Sequence, residues 1–324
     1  IMRKVLLATT ALVALGGVSA ASADISVSGA NEFKYKSWSD NTAETGGANK
    51  NSFSNTTSYE ISASVVTDNG LAMSSNILQD GSTGPFDDYG FSIAGDFGTL
   101  GFANSEDGDA FATATDVTPD ETNTLTTASA ALTALPGDEH INSADVSYLS
   151  PNISGFQFSV GLNEVGSADD SMMGAKYSMT TGETTITVKY ATQSGGKAST
   201  AATATETDAT STGLVLANGP FSVTVASNTK TVATNGATTY DYNISSIGGT
   251  YKMSDSMTVS AYTGTTEDDK DSSHEMTDTA FGVAYTITPG LVFNVTHNSW
   301  DLKDNNLSAN ESGDVTSVAL NLSF

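Results

Sequence analysis

The chain has 324 residues, is 38% hydrophobic, lacks Cys, and carries a formal net charge of −25 from 37 acidic against 12 basic residues. That hydrophobic share is low for a soluble domain of this length, and the absence of Cys excludes disulfides. The acidity excludes nucleic acid as a partner, because no basic patch can neutralise phosphates. Asp and Glu are dispersed and β-formers recur throughout, which also excludes a disordered acidic tail.

The chain opens on a targeting segment. Arg3 and Lys4 form a basic start, VLLATTALVALGGV an apolar core, and Ala21-Ser22-Ala23 a small-x-small cleavage site. This predicts a signal peptide over 1–23 and a mature domain over 24–324. The apolar run is too short for a spanning helix, and no later stretch approaches the roughly 20 apolar residues one requires. Two of the twelve basic residues, including the only Arg, lie in the leader, so ten remain in the mature chain.

From Asp24 onward the pattern alternates with period two. Segment 24–38 places Ile25, Val27, Phe33 and Tyr35 on one parity and Ser26, Ser28, Glu32, Lys34 and Lys36 on the other. Gly29 and Asn31 interrupt its apolar face, which marks that face for contact with another protomer. Segment 58–67 repeats the alternation with Tyr59, Ile61, Ala63 and Val65 against Glu60, Ser62 and Ser64. A tight turn follows at Asp68-Asn69-Gly70, where Asn-Gly supplies the positive φ of a short hairpin. The rhythm then continues. Tight connections are predicted at 68–70, 95–98, 150–155, 180–184, 217–220, 254–256 and 288–290. Long polar ones are predicted near 39–57, 80–88, 104–142, 163–171, 192–212, 228–238, 263–277 and 299–313. Together they join sixteen strands of about ten residues, the length that crosses hydrocarbon at a tilt. A short helix has room only in the Ala/Thr-rich run 110–134.

The last segment, VTSVALNLSF, ends on a strand with Val318, Leu320, Leu322 and Phe324 on one face. Such a strand needs a partner, and its own first strand is the obvious one. Closure abolishes sheet edges, and closed barrels are the only β structures that survive in lipid. An even strand count, with short connections at one end and long ones at the other, is how outer-membrane barrels are built. Tyr148, Phe156, Phe221, Tyr251 and Phe324 lie beside short turns, and Trp38, Tyr35, Tyr240 and Trp300 beside long loops. This predicts two interfacial girdles of aromatics.

Three stretches carry a family resemblance. VSYLSPNISGFQFSVGL at 146–162 resembles the central segment of Gram-negative general porins, where a Tyr-x-Ser-Pro turn leads into an aromatic strand. GDFGTLGFAN at 95–104 is similar to the porin hairpin that precedes the constriction loop. Phe324, with Leu322 and Leu320 behind it, resembles the signal read by the barrel-assembly machinery. In mature length and acidity the chain most resembles alphaproteobacterial porins. The resemblance implies an outer-membrane homotrimer of sixteen-stranded antiparallel β-barrels, each a diffusion channel for ions and small hydrophilic solutes with its third long loop folded into the lumen.

In this sequence that loop is 104–142. A loop of this length is usually functional. It carries Glu106, Asp107, Asp109, Asp116, Asp120, Glu121, Asp138 and Glu139, with no Lys or Arg. Lys34, Lys36, Lys176, Lys189 and Lys252 alternate with outward neighbours and are assigned to the facing wall. An acidic loop opposite a basic wall makes a transverse field across the pore, whereas the bland alternative is that these charges merely hydrate a wet surface. The sequence departs from the family here. General porins line the constriction with Arg, and the mature chain has none. Lys is a mobile, strongly hydrated point charge, so the positive pole is weak and cations are favoured.

The runs EDGD at 106–109 and EDDKD at 267–271 offer oxygen ligands suited to hard cations. Asp107, Asp109, Asp268, Asp269 and Asp271 are therefore candidates for weakly held Ca2+ or Mg2+, with a solvated loop as the alternative. No cofactor is required. The resemblance adds divalent ions at the outer rim, bridging acidic loops to lipopolysaccharide and outer-membrane lipid. His140, His274 and His297 form no recognisable catalytic arrangement, so no catalytic residue is assigned and the chain is not read as an enzyme. His297 shares parity with Phe293 and Val295 and is expected to face outward. Two other classes stay open at this point, an outer-membrane β-barrel hydrolase and an exported soluble β-rich adhesin. Carbonate extraction separates the latter, because a barrel needs detergent.

Overall fold

The computed structural model describes residues 24–40, 50–80, 88–105, 111, 118–119, 144–165, 168–195, 205–270, 274–303 and 311–324. Residues 1–23, the predicted leader, lie outside them. Sixteen strands follow one another: β1 Asp24–Asp40, β2 Lys50–Val66, β3 Ala72–Asp80, β4 Asp88–Gly95, β5 Gly98–Ser105, β6 Ala144–Leu149, β7 Phe156–Val165 and β8 Ala168–Thr181. The second half comprises β9 Thr184–Gly195, β10 Thr205–Asn218, β11 Phe221–Thr234, β12 Ala237–Ser254, β13 Met257–Asp268, β14 Glu275–Thr288, β15 Leu291–Lys303 and β16 Glu311–Ser323. Each pairs antiparallel with its sequence neighbours, and β1 pairs with β16 to close the barrel. No helix is present among the described residues, and the proposed short helix at 110–134 falls almost wholly outside them.

All seven predicted tight connections fall where turn chemistry places them. At the first, Gly70 has a φ of 84° and its amide donates to Thr67 O at 2.9 Å. The long connections differ from expectation, because the strands continue further than the apolar alternation does. β1 and β2 have 17 residues each and β12 has 18. The run 228–238 is not a loop at all. β11 and β12 pair through to Thr234 and Ala237, and Asn235 and Gly236, at φ of 54° and 77°, make a two-residue hairpin. The run 163–171 likewise shrinks, because β7 pairs with β8 as far as Val165 and Ala168. The reason is physical. An outer apolar belt is only about 25 Å tall, and beyond it both faces meet water, so alternation fades while the backbone ladder persists.

The outer face is apolar at mid-height: Leu214, Leu216, Val223, Val225, Ile247, Phe281, Leu320 and Leu322 are all exposed. The inner face is small and polar, with Ser159, Ser211, Asn228, Ser246, Thr296 and Ser317 buried. At the short-turn end the expected girdle forms, with Phe221 and Tyr251 stacked at 4.4 Å and Phe156 and Phe324 exposed. The loop-side girdle is not as predicted. Tyr35 faces out against Phe53, but Trp38 shares the inward parity of Lys34 and Lys36, Tyr240 stacks on the buried Tyr242, and Trp300 is 3% exposed against Gly313. Position along the strand suggested a girdle; parity, which decides the face, puts these three inside.

Phe111 and Pro119, of the third long connection, lie on the lumen side of the barrel. Two of its described points are seated on inner walls: Phe111 is buried among Ala144, Met172, Ala191 and Ala209, and Pro119 lies against Gly282.

Candidate functional site: the lumen and its charged walls

The inward parity of the strands collects two sets of lysines. On β1, Lys34 and Lys36 follow Glu32, and Lys34 Nζ lies 2.8 Å from Glu32 Oε1. On β8 and β9, Lys176 and Lys189 stand directly opposite each other in register. Like charges so placed repel. They share the inward face with Gly174 and Ala191, and Lys176 Nζ lies 5.2 Å over the Phe111 ring, a cation–π contact. The two sets are half a turn of the barrel apart, so they do not form one cluster. Lys252 is also inward by parity, yet it lies at the short-turn end, exposed, with Nζ 3.2 Å from Asp255 Oδ1. It stands at the periplasmic mouth. Sequence reasoning missed Lys230, on the inward parity of β11 with Thr224, Ala226 and Asn228. The signal was available, but the run was read as a loop. Glu106, Asp107, Asp109, Asp116, Asp120 and Glu121 lie outside the described residues.

The wall formed by β12–β16 has a different character. Asp278 on β14 is fully buried and accepts from the Tyr262 hydroxyl and, at 2.7 Å, from Asn298 Nδ2. Around it Tyr242, Ile244, Met276, Leu302 and Val315 are buried on the same inner face. Tyr262 and Asn298, both neutral donors, help hold this carboxylate in place. A carboxylate accepting charge-assisted hydrogen bonds in a buried site costs much more to leave unpaired than an exposed one. Neither Asp278 nor Asn298 stood out in the sequence, where each reads as one more polar residue on an inward face.

Asp268 and Asp269, candidate ligands for a hard cation from the sequence, lie at the end of β13. Asp268 is buried, accepts from the backbone amides of Asp241 and Lys270 at 3.0 Å each, and lies 3.6 Å from His274 Nδ1. Asp269 accepts from Asn243 Nδ2 at 2.7 Å. Both spend oxygens on donors of the fold. Among the described residues no group of three or more His, Asp or Glu is arranged to hold a metal ion. Asp107, Asp109 and Asp271 lie outside those residues. His297 faces outward, stacked on Phe281 and 2.9 Å from Thr316 Oγ1, and His140 is outside the described residues.

A family model for Gram-negative porins matches residues 8–305. No curated protein matches the chain. Among solved structures, the anion-selective porin from Comamonas acidovorans is 13% identical, with a TM-score of 0.66 over 93% of this chain and 100% of that one. The trimer form of the outer membrane protein OmpT of Vibrio cholerae is 11% identical, with a TM-score of 0.67 over 93% and 99%. A double mutant of the Rh. blastica porin is 16% identical, with a TM-score of 0.60 over 93% and 100%. At such identities these structures share the fold. Taken with a closed sixteen-stranded barrel and an apolar outer belt, the family match leaves one conclusion: the chain belongs to the Gram-negative porin family and is a channel of the outer membrane.

Proposed function

We propose that this channel passes ions and small hydrophilic solutes by passive diffusion, without a chemical step, and that it favours cations. The observation that carries this reading is the third long connection, an Arg- and Lys-free acidic segment with Phe111 and Pro119 seated inside the lumen. Its carboxylates act where the passage is narrowest and water screens least. Coulomb energy between unit charges 4 Å apart is about 4 kcal/mol at an effective dielectric of 20 and about 1 in bulk water. The opposing lysines are few and set on two separate walls. The Comamonas porin is described as anion-selective, so the shared fold leaves the sign of selectivity to the side chains.

The proposed assembly is a homotrimer embedded in outer-membrane lipid, as the trimer form of the Vibrio protein suggests. Outward-facing Asn31, which donates to Thr57 Oγ1 at 2.7 Å, interrupts the apolar belt between β1 and β2 and supports a protein contact there. Weakly held Ca2+ or Mg2+ at the outer acidic loops, bridging to lipopolysaccharide, completes the reading. Planar bilayers test the central claim. A potassium chloride gradient should displace the reversal potential towards the potassium Nernst value, and less so at 1 M salt, where the Debye length is about 3 Å. Anion preference at low salt would overturn it.

A further inference from the structure

We propose that the inner face of β1–β4 is a solute track that favours uncharged polyhydroxylated solutes, sugars in chemical class, over equally sized solutes poor in hydroxyls. This names the solute class for the diffusion reading above and rests on it. Burial locates the track. The inner face of every strand from β5 to β16 includes buried positions, among them Ser159, Gln193, Ser211, Ser246 and Thr296. No described inward residue of β1–β4 is buried. Among the described residues this is the one inner wall that is open along its whole height.

The strand register aligns hydroxyls across it. In one row Ser64, Ser74 and Ser92 stand side by side on β2, β3 and β4, with 2.7 Å between the hydroxyls of Ser74 and Ser92. The next row holds Ser26, Ser62 and Asn76 on β1, β2 and β3. Further towards the long-loop end, β2 continues with Ser58, Thr56, Ser54 and Ser52 on the same face. Leu78 is the one large apolar side chain of this face on the short-turn side of Trp38. A Ser hydroxyl both donates and accepts, and it rotates to suit its partner. Rows of them on strands about 4.8 Å apart can therefore trade bonds to water for bonds to a sugar's hydroxyls. Each exchange gains little net, and passage needs that: sites favourable enough to admit a solute, yet weak and numerous enough to release it. A solute without hydroxyls strips water from the same groups and returns nothing. Charge does not compete. On β1 and β2, from the row of Ser26 to that of Lys36, Glu32 and Glu60 stand against Lys34 and Lys36, two of each sign. Lys34 Nζ lies 2.8 Å from Glu32 Oε1, and Glu60 accepts from Ser62 Oγ at 2.8 Å. This stretch of wall offers hydroxyls along its height and no net charge.

Liposome swelling reads uncharged solutes directly and is indifferent to ion preference. Arabinose is paired with triethylene glycol, a polyether of nearly the same mass with hydroxyls only at its ends. The ratio of their swelling rates then isolates hydroxyl content. In S62A/S64A/S74A/S92A the hydroxyls are lost and the bore does not narrow, so sieving by size alone lowers neither rate. The arabinose-to-glycol ratio should nevertheless fall about threefold, since each lost exchange is worth a fraction of a hydrogen bond. Four hydroxyls removed from covered positions, in S159A/S211A/S246A/S317A, should leave the ratio as in the wild type. An unchanged ratio in the first variant, or an equal fall in the second, overturns the track. Because the chain has no Cys, single thiols test its openness without multiple substitution. A hydrophilic thiosulfonate should label S74C and lower its conductance, whereas S246C should keep its thiol. The reverse pattern overturns the placement on β1–β4. Liposomes that swell with neither solute, from protein showing the heat-modifiable gel band of a folded barrel, sink the diffusion reading and the track together. A channel that meets both tests but prefers anions sinks only the cation preference.

Discussion

The two halves of the inner wall use polar residues in opposite ways. Across β8–β11 the inward face holds Lys176, Lys189 and Lys230 among alanines, serines and glycines, with lysine set opposite lysine, and a buried Asp170 that accepts from Gln193 Nε2 at 2.9 Å. Across β12–β16 it holds Asp278, Asn298 and Tyr262 bonded to one another amid buried apolar and aromatic side chains. The first arrangement sets Lys176 directly opposite Lys189, a placement that by itself disfavours a strand pair. The second satisfies its carboxylate internally and stiffens the wall. Polar residues on the inner face are therefore arranged differently on the two walls. Composition alone does not separate them.

Four measurements bear on that contrast, beginning with the largest expected effect. Asn298→Leu removes the amide donor to a fully buried carboxylate and should cost about 1–3 kcal/mol of barrel stability, read from the urea midpoint in lipid vesicles. A midpoint unchanged by that substitution would mean the β12–β16 wall is not held by this network. Next, neutralising Asp107, Asp109, Asp116, Asp120 and Glu121 together should lower the cation-to-anion permeability ratio about fivefold, the equivalent of about 1 kcal/mol between partly screened charges. A larger loss on changing Glu267, Asp268, Asp269 and Asp271 would move the constriction to the outer mouth. Third, the pair Lys176→Ala with Lys189→Ala should raise cation preference about twofold at low salt, an increase that disappears near 1 M. Smallest of all, Lys252→Ala should leave permeability ratios unchanged, because an exposed ion pair at the mouth is worth little. A clear shift there would erase the distinction between wall and mouth.

Much of the fold was legible because the signals that make it are local. Asn69-Gly70 and Pro289-Gly290 each determine a turn by backbone chemistry, whatever the rest of the chain does, and alternation such as Val318, Leu320 and Leu322 names the lipid face. The long-loop end was harder to read. Thr229 to Thr234 and Ala237 to Tyr242 are polar on both faces, so nothing in them distinguishes a ladder standing in water from a loop. Parity put Lys34, Lys36, Lys176, Lys189 and Lys252 on one face but gave no height, and height is what sets Lys252 apart from Lys189. Trp300 and Trp38 show the converse error, in which height was read without parity. Asp278 was invisible because its significance depends on Tyr262 and Asn298, which come from different strands and meet only when those strands align.

The seam between β1 and β16 bears on how the molecule forms. Every other pairing in the barrel joins consecutive strands and can grow hairpin by hairpin. This one joins Ala30 to Ser323 and continues to Asp40 and Gly313, with Gly29 and Phe324 exchanging backbone hydrogen bonds at 2.9 and 3.0 Å. The Phe324 ring lies over Gly29, where a Cβ would come within 2.8 Å of it. Local hairpins close in about 1–10 μs, whereas a contact between segments nearly three hundred residues apart pays its chain entropy before it gains anything. Until it forms, the sheet keeps two long unpaired edges, and such edges pair with other chains. The slow step of folding and the window for aggregation are therefore the same event. A substitution at Gly29 should lengthen that window without altering a single residue of the pore.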